Sequence, residues 1–533
     1  MTKELMTSLV LISPILFSFI ALLSWFMRGI RPAKLILISR ISIYLGIFIA
    51  LVSCAFVYQY GILESNSIAY EGLGFSIRLD ALSVLIFTMI NLISFIVMRF
   101  SFNYMDGDSK QGVFIGRLAA TIASVQLLVL AGNLGLIWVS WVLTSISLQR
   151  MLIFYAERRR SKLAARKKFI SARLGDLFLL TSIFLLYNHF GTGNLQEIIL
   201  AMKNPAGAFP IALEMAMIFI AAAAILKSAL FPTHAWLVEV METPTPVSAM
   251  LHAGLLNAGP FLIARMSFLM TEMTYAPIIL IIFGGFTAVF GSIAYMTQSS
   301  VKTALGYSSI SHMGFSILLC GFGIYAAAIL HLVAHSFYKA HAFLSSGSLI
   351  DVKKASKINL KPSNSNPLIL IASIILAFVI FGSLALLWGV NPIEELSLLV
   401  VSCIIVMGLS LLIGTTLSTK NSKQLILKIT MVAAVVALAF FSLEALMANV
   451  LKSQIPVVSQ PSNLVTVMLF FWLVIFIGLV LIQMFSPFIK GKKFWRKWSI
   501  HFRNGLYANV IYDRMVGALY IKSSSSLDRW EKS

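Results

Sequence analysis

One stretch of forty residues, Leu226 to Arg265, gathers most of the chemistry open to this chain: LKSALFPTHAWLVEVMETPTPVSAMLHAGLLNAGPFLIAR. Lys227 falls at the end of an apolar run, AMIFIAAAAILKSALF. A lysine at bilayer depth costs roughly 2.5–3.5 kcal/mol on insertion scales, so one kept there needs a partner or a task. Pro232, Pro244 and Pro246 free backbone carbonyls, which hydrocarbon tolerates only where protein or a wet cavity covers them. His234 follows the first proline, and TPTPVS restarts an apolar helix that carries His252. A cation, a broken helix and imidazoles in one segment suggest an ion or proton path through a membrane. The bland alternative is a loop between two spans, with Lys227 snorkelling to the interface.

Other ionisable side chains sit inside apolar segments. Glu214 opens the span that Lys227 closes. Asp176 lies in FISARLGDLFLL with Arg173 three residues before it, on the same helix face. Either these two form a plain ion pair, or the buried carboxylate serves Lys227 on the next helix. In AAAILHLVAHSFYKAHAFLSSGSLI, His331, His335 and Lys339 recur every four residues and advance only about 40° per step, forming one polar stripe. Two histidines at this spacing can ligate zinc, although HLVAH has no glutamate after the first histidine and no obvious third ligand. A proton relay uses the same imidazoles, which titrate near neutral pH and carry a nitrogen on each side. Just upstream, VKTALGYSSISHMGF puts Lys302 at a helix start, where it can snorkel, and His312 deeper in the helix. Six of the eight histidines fall between residues 234 and 341, which argues against chance scatter.

The elements that must position these residues are transmembrane helices. The chain has 533 residues, 59% hydrophobic and 11% charged, with a mean hydropathy of +0.91, which indicates an all-α polytopic membrane protein. Apolar runs long enough to cross about 30 Å of hydrocarbon recur from Leu9 to Gln483, giving about fifteen transmembrane helices. They divide into N-terminal transmembrane helices (1–112), a first helix bundle (113–270), a second (271–417), C-terminal transmembrane helices (418–490) and a basic cytoplasmic tail (491–533). The two bundles echo one another loosely. The second carries its own Gly-containing interrupted helix, FGSLALLWGVNP, as duplicated transporter bundles do.

The net charge of +21 does not require a nucleic-acid partner, because the cations concentrate in alternate loops. Arg28/Arg31/Lys34, Arg99/Lys110/Arg117, Glu157–Lys168, Lys353–Lys361, Lys420–Lys428 and Lys490–Lys497 alternate with loops that hold Glu64, Glu71, Glu197, Glu394 and Glu395. That pattern places a multi-pass protein in the cell (inner) membrane, with its N-terminus outside, its C-terminus cytoplasmic and its basic patches against anionic lipid. Cys54, Cys320 and Cys403 are scattered without CxxC spacing, so disulfides and iron–sulfur ligation are not expected. No GxxxxGK[ST] is present, so energy comes from a gradient or a partner and no cofactor is expected in this chain. The first apolar stretch lacks a small-residue cleavage site and reads as a span.

Five strings together resemble the antiporter-like membrane subunits of respiratory complex I and of multisubunit cation/proton antiporters: KKFISARLGDLFLL, LKSALFPTHAWL, TPVSAMLHAGLLNAGPFLIAR, VKTALGYSSISHMGF and HLVAHSFYKAHAFLSSGSLI. The resemblance covers residues 117–350, with NGLYANVIYDR near the C-terminus as an outlying match. It implies two inverted five-helix repeats with broken helices, and a proton path through Asp176, Lys227, His252, His331, His335 and Lys339. Glu214, His234, His312 and Lys302 are further candidates. FPTHAWL followed by MLHAGLLNAGPFLIAR looks most like the DabB-type subunits of inorganic-carbon accumulating complexes. That branch implies a transporter subunit, not itself an enzyme, that passes protons or sodium. It also implies a DabA-type partner, a zinc protein similar to β-carbonic anhydrases that hydrates CO2. The alternatives are a proton-pumping subunit of complex I and a cation/proton antiporter subunit. Two departures stand out: Val142 follows Trp141 where the family has a glutamate, and the interrupted helix around 375–391 lacks the family's lysine.

Overall fold

The computed structural model describes residues 3–70, 72–155, 159–203, 209–240, 243–347, 367–389, 395–404, 423–457, 460–485 and 493–520. The basic run Lys353–Lys361, together with Glu71, Glu394, Lys420, Lys490 and most of the apolar run at 396–417, one of the expected spans, lies outside these residues. Among the described residues, eight helices are long and apolar enough to cross a membrane.

The N-terminal part contains α1 (Lys3–Val10), α2 (Ile12–Leu23), α3 (Ala33–Tyr60) and α4 (Ala81–Tyr104). Between α3 and α4 lies structure that helical periodicity does not foretell, and which qualifies the all-α expectation. Gly61, at φ 72°, ends α3, and two small antiparallel pairs follow. β1 (Leu63–Glu64) pairs with β4 (Arg78–Leu79), and β2 (Ile68–Tyr70) pairs with β3 (Leu73–Phe75). The first bundle comprises α5 (Gln111–Leu130), α6 (Leu134–Leu152), α7 (Arg159–Phe190), α8 (Leu195–Lys203), α9 (Ile211–Lys227) and α10 (Ala235–Glu239). α11 (Thr245–Ala253), a 3-10 turn and α12 (Ala258–Arg265) then make one kinked crossing, followed by α13 (Ser267–Glu272).

The crossing Thr245–Arg265 is buried along its whole length, packed among α4, α9, α15 and α16, and so forms the axis of the molecule. Beyond it come α14 (Tyr275–Thr297), α15 (Val301–Gly321), α16 (Tyr325–Leu344), α17 (Pro367–Trp388), α18 (Lys423–Leu451) and α19 (Asn463–Met484). α14 and α15 cross closely because both contribute glycines: a Cβ on Gly314 would lie 2.6 Å from the Ala288 nitrogen and 2.8 Å from the Gly284 carbonyl oxygen. Two helices, α20 (Lys493–Arg503) and α21 (Ala508–Tyr520), occupy the region that charge alone marks as a tail. The interrupted helix expected in the second bundle is not broken where it can be seen. α17 runs unbroken through Gly382 to Trp388, and residues 390–394 lie outside the described part. A single glycine lowers helix propensity by only about 1 kcal/mol, so without a proline the helix continues.

One buried ionic cluster ties the strands to the axis. Asp80 caps α4 in a reciprocal capping box with Ser83, accepting from the Ser83 N–H at 2.8 Å. Its other oxygen accepts from Arg78 Nε at 2.7 Å and from Arg265 Nη1 at the end of α12. Arg78 also donates to Glu64 and to Gln196 of α8, both at 2.7 Å. Asp80 is wholly buried and the two arginines nearly so. Asp80→Asn leaves two buried guanidiniums facing each other without their carboxylate. It is expected to cost about 3–5 kcal/mol of stability, seen as a clear drop in the thermal midpoint of the detergent-solubilised protein. An unchanged midpoint contradicts this account.

Candidate functional site

The break after α9 creates the first half of the site. Helical hydrogen bonding stops at Lys227, Ala229 takes a left-handed φ of 54°, and Pro232 has no N–H to resume the ladder. The freed groups find specific partners: the Phe231 N–H donates to Thr287 Oγ1 at 3.2 Å and Ser228 Oγ donates to the Leu256 carbonyl at 3.0 Å. The second bond joins the break in α9 to the kink between α11 and α12. Gly259 allows that junction, since a Cβ there would fall 2.1 Å from Ser228 Oγ.

Lys227 is partly buried and turned toward α6. Its ammonium donates to the Trp141 carbonyl (2.9 Å), Thr144 Oγ1 (2.7 Å) and Ser145 Oγ (2.7 Å), and it stands 4.4 Å from the Trp141 ring centroid. All three N–H bonds thus end on neutral oxygens. Asp176 is not its partner. Of the two pairings left open by the sequence, the plain ion pair is the one formed, since Asp176 Oδ2 lies 2.6 Å from Arg173 Nη2, one turn earlier on α7. That ion pair lacks hydrogen-bond alignment, and the buried Asp176 oxygens have no hydrogen-bond partner among the described residues.

A second ammonium enters the same site from α7. Lys168 is buried and donates to the Ser145 carbonyl at 2.6 Å, so Ser145 serves Lys168 with its backbone and Lys227 with its hydroxyl. Between them lies a cavity of about 20 Å3, lined also by Ser171, Trp236 and Leu255, which is room for roughly one water.

The second half of the site lies on α15 and α16. His312 Nδ1 and His331 Nε2 are 3.2 Å apart, so one ring donates to the other. The His335 ring centroid is 4.7 Å from that of His312 and 6.0 Å from that of His331. These three imidazoles line a cavity of about 530 Å3 with Tyr295, Ser311 and Gln483. His335 is buried with neither nitrogen hydrogen-bonded among the described residues. Lys339 is completely buried and donates to the Leu305 carbonyl at 3.2 Å. His252 lies on the axial crossing between the halves, stacked at 4.4 Å on Phe343 of α16, and both its nitrogens lack hydrogen-bond partners among the described residues. Asn257 Nδ2 fixes the register between axis and α16 by donating to Ser336 Oγ at 2.7 Å. Among the described residues, no three His, Cys, Asp or Glu side chains are grouped to hold a metal ion.

The remaining candidates scatter. Glu214 caps α14, accepting from the N–H groups of Thr274, Tyr275 and Ala276 at 2.9–3.0 Å, at the end of α9 away from Lys227. Lys302 donates to Thr245 Oγ1 at 3.1 Å at the start of the axial crossing. His234 is buried against Phe231 and Phe290, with Nδ1 unpartnered among the described residues.

Lys167 and Lys168 escape sequence reasoning because they end the run ERRRSKLAARKK, which reads as a solvated topology signal. The available clue was that Lys168 stands eight residues, about two helical turns, before Asp176, where the apolar run begins. Lys167 is wholly buried and pairs with Glu239 of α10 at 2.6 Å and with Asp513 of α21. Asn509 donates to Glu239 at 2.9 Å and accepts from Lys167 at 2.5 Å. Tyr512 Oη lies 2.5 Å from Ser171 Oγ, on the wall of the Lys227 cavity, and donates to the Lys167 carbonyl at 2.7 Å. The motif NGLYANVIYDR thus supplies the polar face that seals this end of the site.

The NADH:quinone oxidoreductase/Mrp antiporter transmembrane family matches residues 131–387, and the N-terminal segment of complex I chain 5 matches residues 68–115. Residues 131–387 thus carry a complex I/Mrp antiporter-like transmembrane domain. The chain is 38% identical over 313 residues to a probable inorganic carbon transporter subunit, DabB2, of Halothiobacillus neapolitanus, covering 58% of this chain and 57% of that one. It is 35% identical over 345 residues to the corresponding DabB subunit of Hydrogenovibrio crunogenus, covering 64% of each. It is also 35% identical over 288 residues to NADH-quinone oxidoreductase subunit L of Escherichia coli, covering 53% and 46%. The chain therefore spans less than two thirds of the length of these curated relatives. Its fold is that of a chain in the Mrp complex from Dietzia sp. DQ12-45-1b (TM-score 0.57, 20% identity, 98% of this chain and 56% of that one). It is also that of a chain in respiratory complex I from Thermus thermophilus with bound NADH (TM-score 0.55, 18% identity, 95% and 99%). The matched transmembrane domain and the eight helices long and apolar enough to cross a membrane together make this a membrane protein.

Removing the lysine that holds α21 tests the seal. Lys167→Met leaves Glu239 and Asp513 without their cation, and is expected to release α21 and speed tryptic cleavage after Arg503 and Arg514 several-fold. An unchanged cleavage rate means that the helix is held by other contacts.

Proposed function

We propose that the chain is the proton-conducting, or sodium-conducting, membrane subunit of an energy-coupled inorganic carbon transporter. The observation that carries the reading is a row of titratable side chains through the bundle. Lys168 and Lys227 surround one cavity, His252 sits on the buried axis, and His335, Lys339, His331 and His312 lead to a second cavity. Such groups are costly in hydrocarbon and mark ion or proton routes. Lys227 holds its proton against neutral oxygens, so giving it up breaks hydrogen bonds but no ion pair. Asp176 and Arg173 form a compact dipole on the neighbouring helix, and a change in that pair alters the field at Lys227. The imidazoles can take a proton on one nitrogen and pass it from the other. Asp176, Lys227, His252, His331, His335 and Lys339 form this path, with His312 and Lys168 added by position. Glu214 caps a helix and Lys302 sits at its margin.

The carbon-transport role rests on the similarity to DabB-type subunits. It entails a zinc-bearing DabA-type partner similar to β-carbonic anhydrases that hydrates CO2, with no resident cofactor or catalysis in this chain. It also entails a cell-membrane location with the C-terminal helices on the cytoplasmic side, as the loop charges indicate. A pumping subunit of complex I is the second reading, favoured by the match to subunit L. The neutral shell of Lys227 argues against it, because Val142 stands where that family pairs its lysine with a glutamate. Rescue of growth at ambient CO2 by this chain together with its DabA-type neighbour separates the two. Failure of rescue, with restored NADH:quinone activity in a complex lacking its own subunit, favours the second.

Lys227→Ala is expected to abolish rescue while membrane abundance and co-purification with the neighbour stay within about two-fold of wild type, since removing the ammonium strands no counter-ion. Wild-type growth of this variant sinks the assignment. An uncoupler that collapses the proton gradient at constant ATP should also stop uptake, and uptake that persists without proton or sodium gradients excludes gradient coupling.

His331→Gln and His335→Gln keep hydrogen-bonding capacity but lose titration, so both are expected to lose most activity with no change in metal content. If the pair binds zinc instead, the purified chain contains about one zinc that either substitution removes. Full activity in both variants makes the stripe a packing feature.

A further inference from the structure

A large cavity lies away from the titratable row, between α2, α5 and α6. Its volume is about 890 Å3, and it is lined at one end by Arg28, Lys110, Arg117 and Arg150. The C-terminal end of α2, the N-terminal end of α5 and the C-terminal end of α6 lie together here, so all four cations sit at one membrane face. Two of them are held in place: Arg117 Nη1 donates to the Arg150 carbonyl at 2.6 Å with its guanidinium 5.7 Å from the Phe154 ring centroid, and Arg28 Nε donates to the Trp25 carbonyl. No carboxylate lines the cavity among the described residues. The nearby Asp106 pairs with Arg31, and Asp108 accepts from Tyr155 and from the Lys110 N–H. A site with this charge selects an anion.

The other end decides which anion. Away from the cations the walls turn apolar, and Leu22, Leu143 and Ile146 are 55%, 40% and 44% exposed on the outer surface of the bundle, where hydrocarbon lies. The cavity follows α5 from Arg117 to Leu127. At 1.5 Å per residue that is roughly 15 Å, half of the roughly 30 Å hydrocarbon core. A headgroup-sized cationic mouth with one leaflet's depth of apolar wall matches a phospholipid lying alongside the protein, whereas a small soluble anion would leave the apolar part unused.

We infer that this cavity is a binding site for an anionic phospholipid, its phosphate held by Arg28, Arg117 and Arg150 and its acyl chain in the groove between α2 and α6. The site is independent of the ion path, so a failure here leaves the proposed function standing.

Native mass spectrometry of the full chain tests it, after reconstitution in nanodiscs containing cardiolipin, phosphatidylglycerol and phosphatidylcholine. The wild-type protein is expected to retain the anionic lipids in preference to phosphatidylcholine. Arg28→Gln and Arg150→Gln should each weaken retention by about fivefold, the worth of one basic residue near a charged membrane surface. Arg99→Gln, at the same end of α4 but outside the cavity, should not. Leu143→Trp, which fills the groove but keeps every cation, should also displace the lipid. Equal retention by the arginine variants and wild type overturns the site. Displacement of the lipid by millimolar bicarbonate or phosphate, with Leu143→Trp binding as wild type, overturns the lipid assignment in favour of a free anion.

Discussion

Three neutral oxygens around one ammonium set the terms for the first half of the molecule. Charge withdrawn from water needs compensation, and Lys227 obtains it without a counter-ion, from the carbonyl of Trp141 and the hydroxyls of Thr144 and Ser145. These acceptors occupy a single turn of α6, so they converge only if α6 keeps its register against the broken end of α9. The axial crossing enforces that geometry through the Ser228–Leu256 bond and the close approach at Gly259. Where a carboxylate could not be avoided, as at Asp80, the fold surrounds it with two guanidiniums and a capping box, leaving no exchangeable site. One charge is held loosely by dipoles and the other tightly by ions. That contrast sets the lysine of the proposed path apart from a carboxylate that holds the fold.

The two halves solve the transfer problem differently. The first has ammoniums and hydroxyls around a cavity that admits about one water. The second has three imidazoles around a space more than twenty times larger, with a lysine buried beneath them. A tight cavity restricts the number of water configurations and a large one does not. On the proposed path, the narrower passage is therefore in the first half and the wider one in the second.

How much of this was legible depended on whether one local signal was enough. The break after Lys227 could be read because a lysine, a left-out backbone donor at Pro232 and an abrupt loss of hydropathy coincide within a few residues. The His331–His335–Lys339 stripe could be read because helical periodicity alone puts it on one face, and α16 does so. The Asp176 partner could not: two cations were available, and proximity on the same helix favoured Arg173 over Lys227. Glycine in FGSLALLWGVNP suggested a second break that α17 does not make before Trp388, because glycine weakens a helix whereas proline removes a hydrogen bond. The strands between α3 and α4 are two or three residues long, too short for alternation to show. Lys167 and Lys168 were hidden by composition, since nothing in a run of cations shows which of them the last helix will cover.

That covering helix has a consequence for biogenesis. Lys167 meets Asn509 across 342 residues of sequence, so the cation emerges from the ribosome long before the groups that complete its shell. Until then it has only Glu239, and the polar end of the Lys227 cavity stands uncovered. The C-terminal helices thus complete this shell last. A chain that ends before Asn509 leaves Lys167 without the oxygens of Asn509 and Asp513. On the proposed function, an ion route open before the subunit was finished would leak the gradient, and this order of assembly adds the last wall of the route at the end.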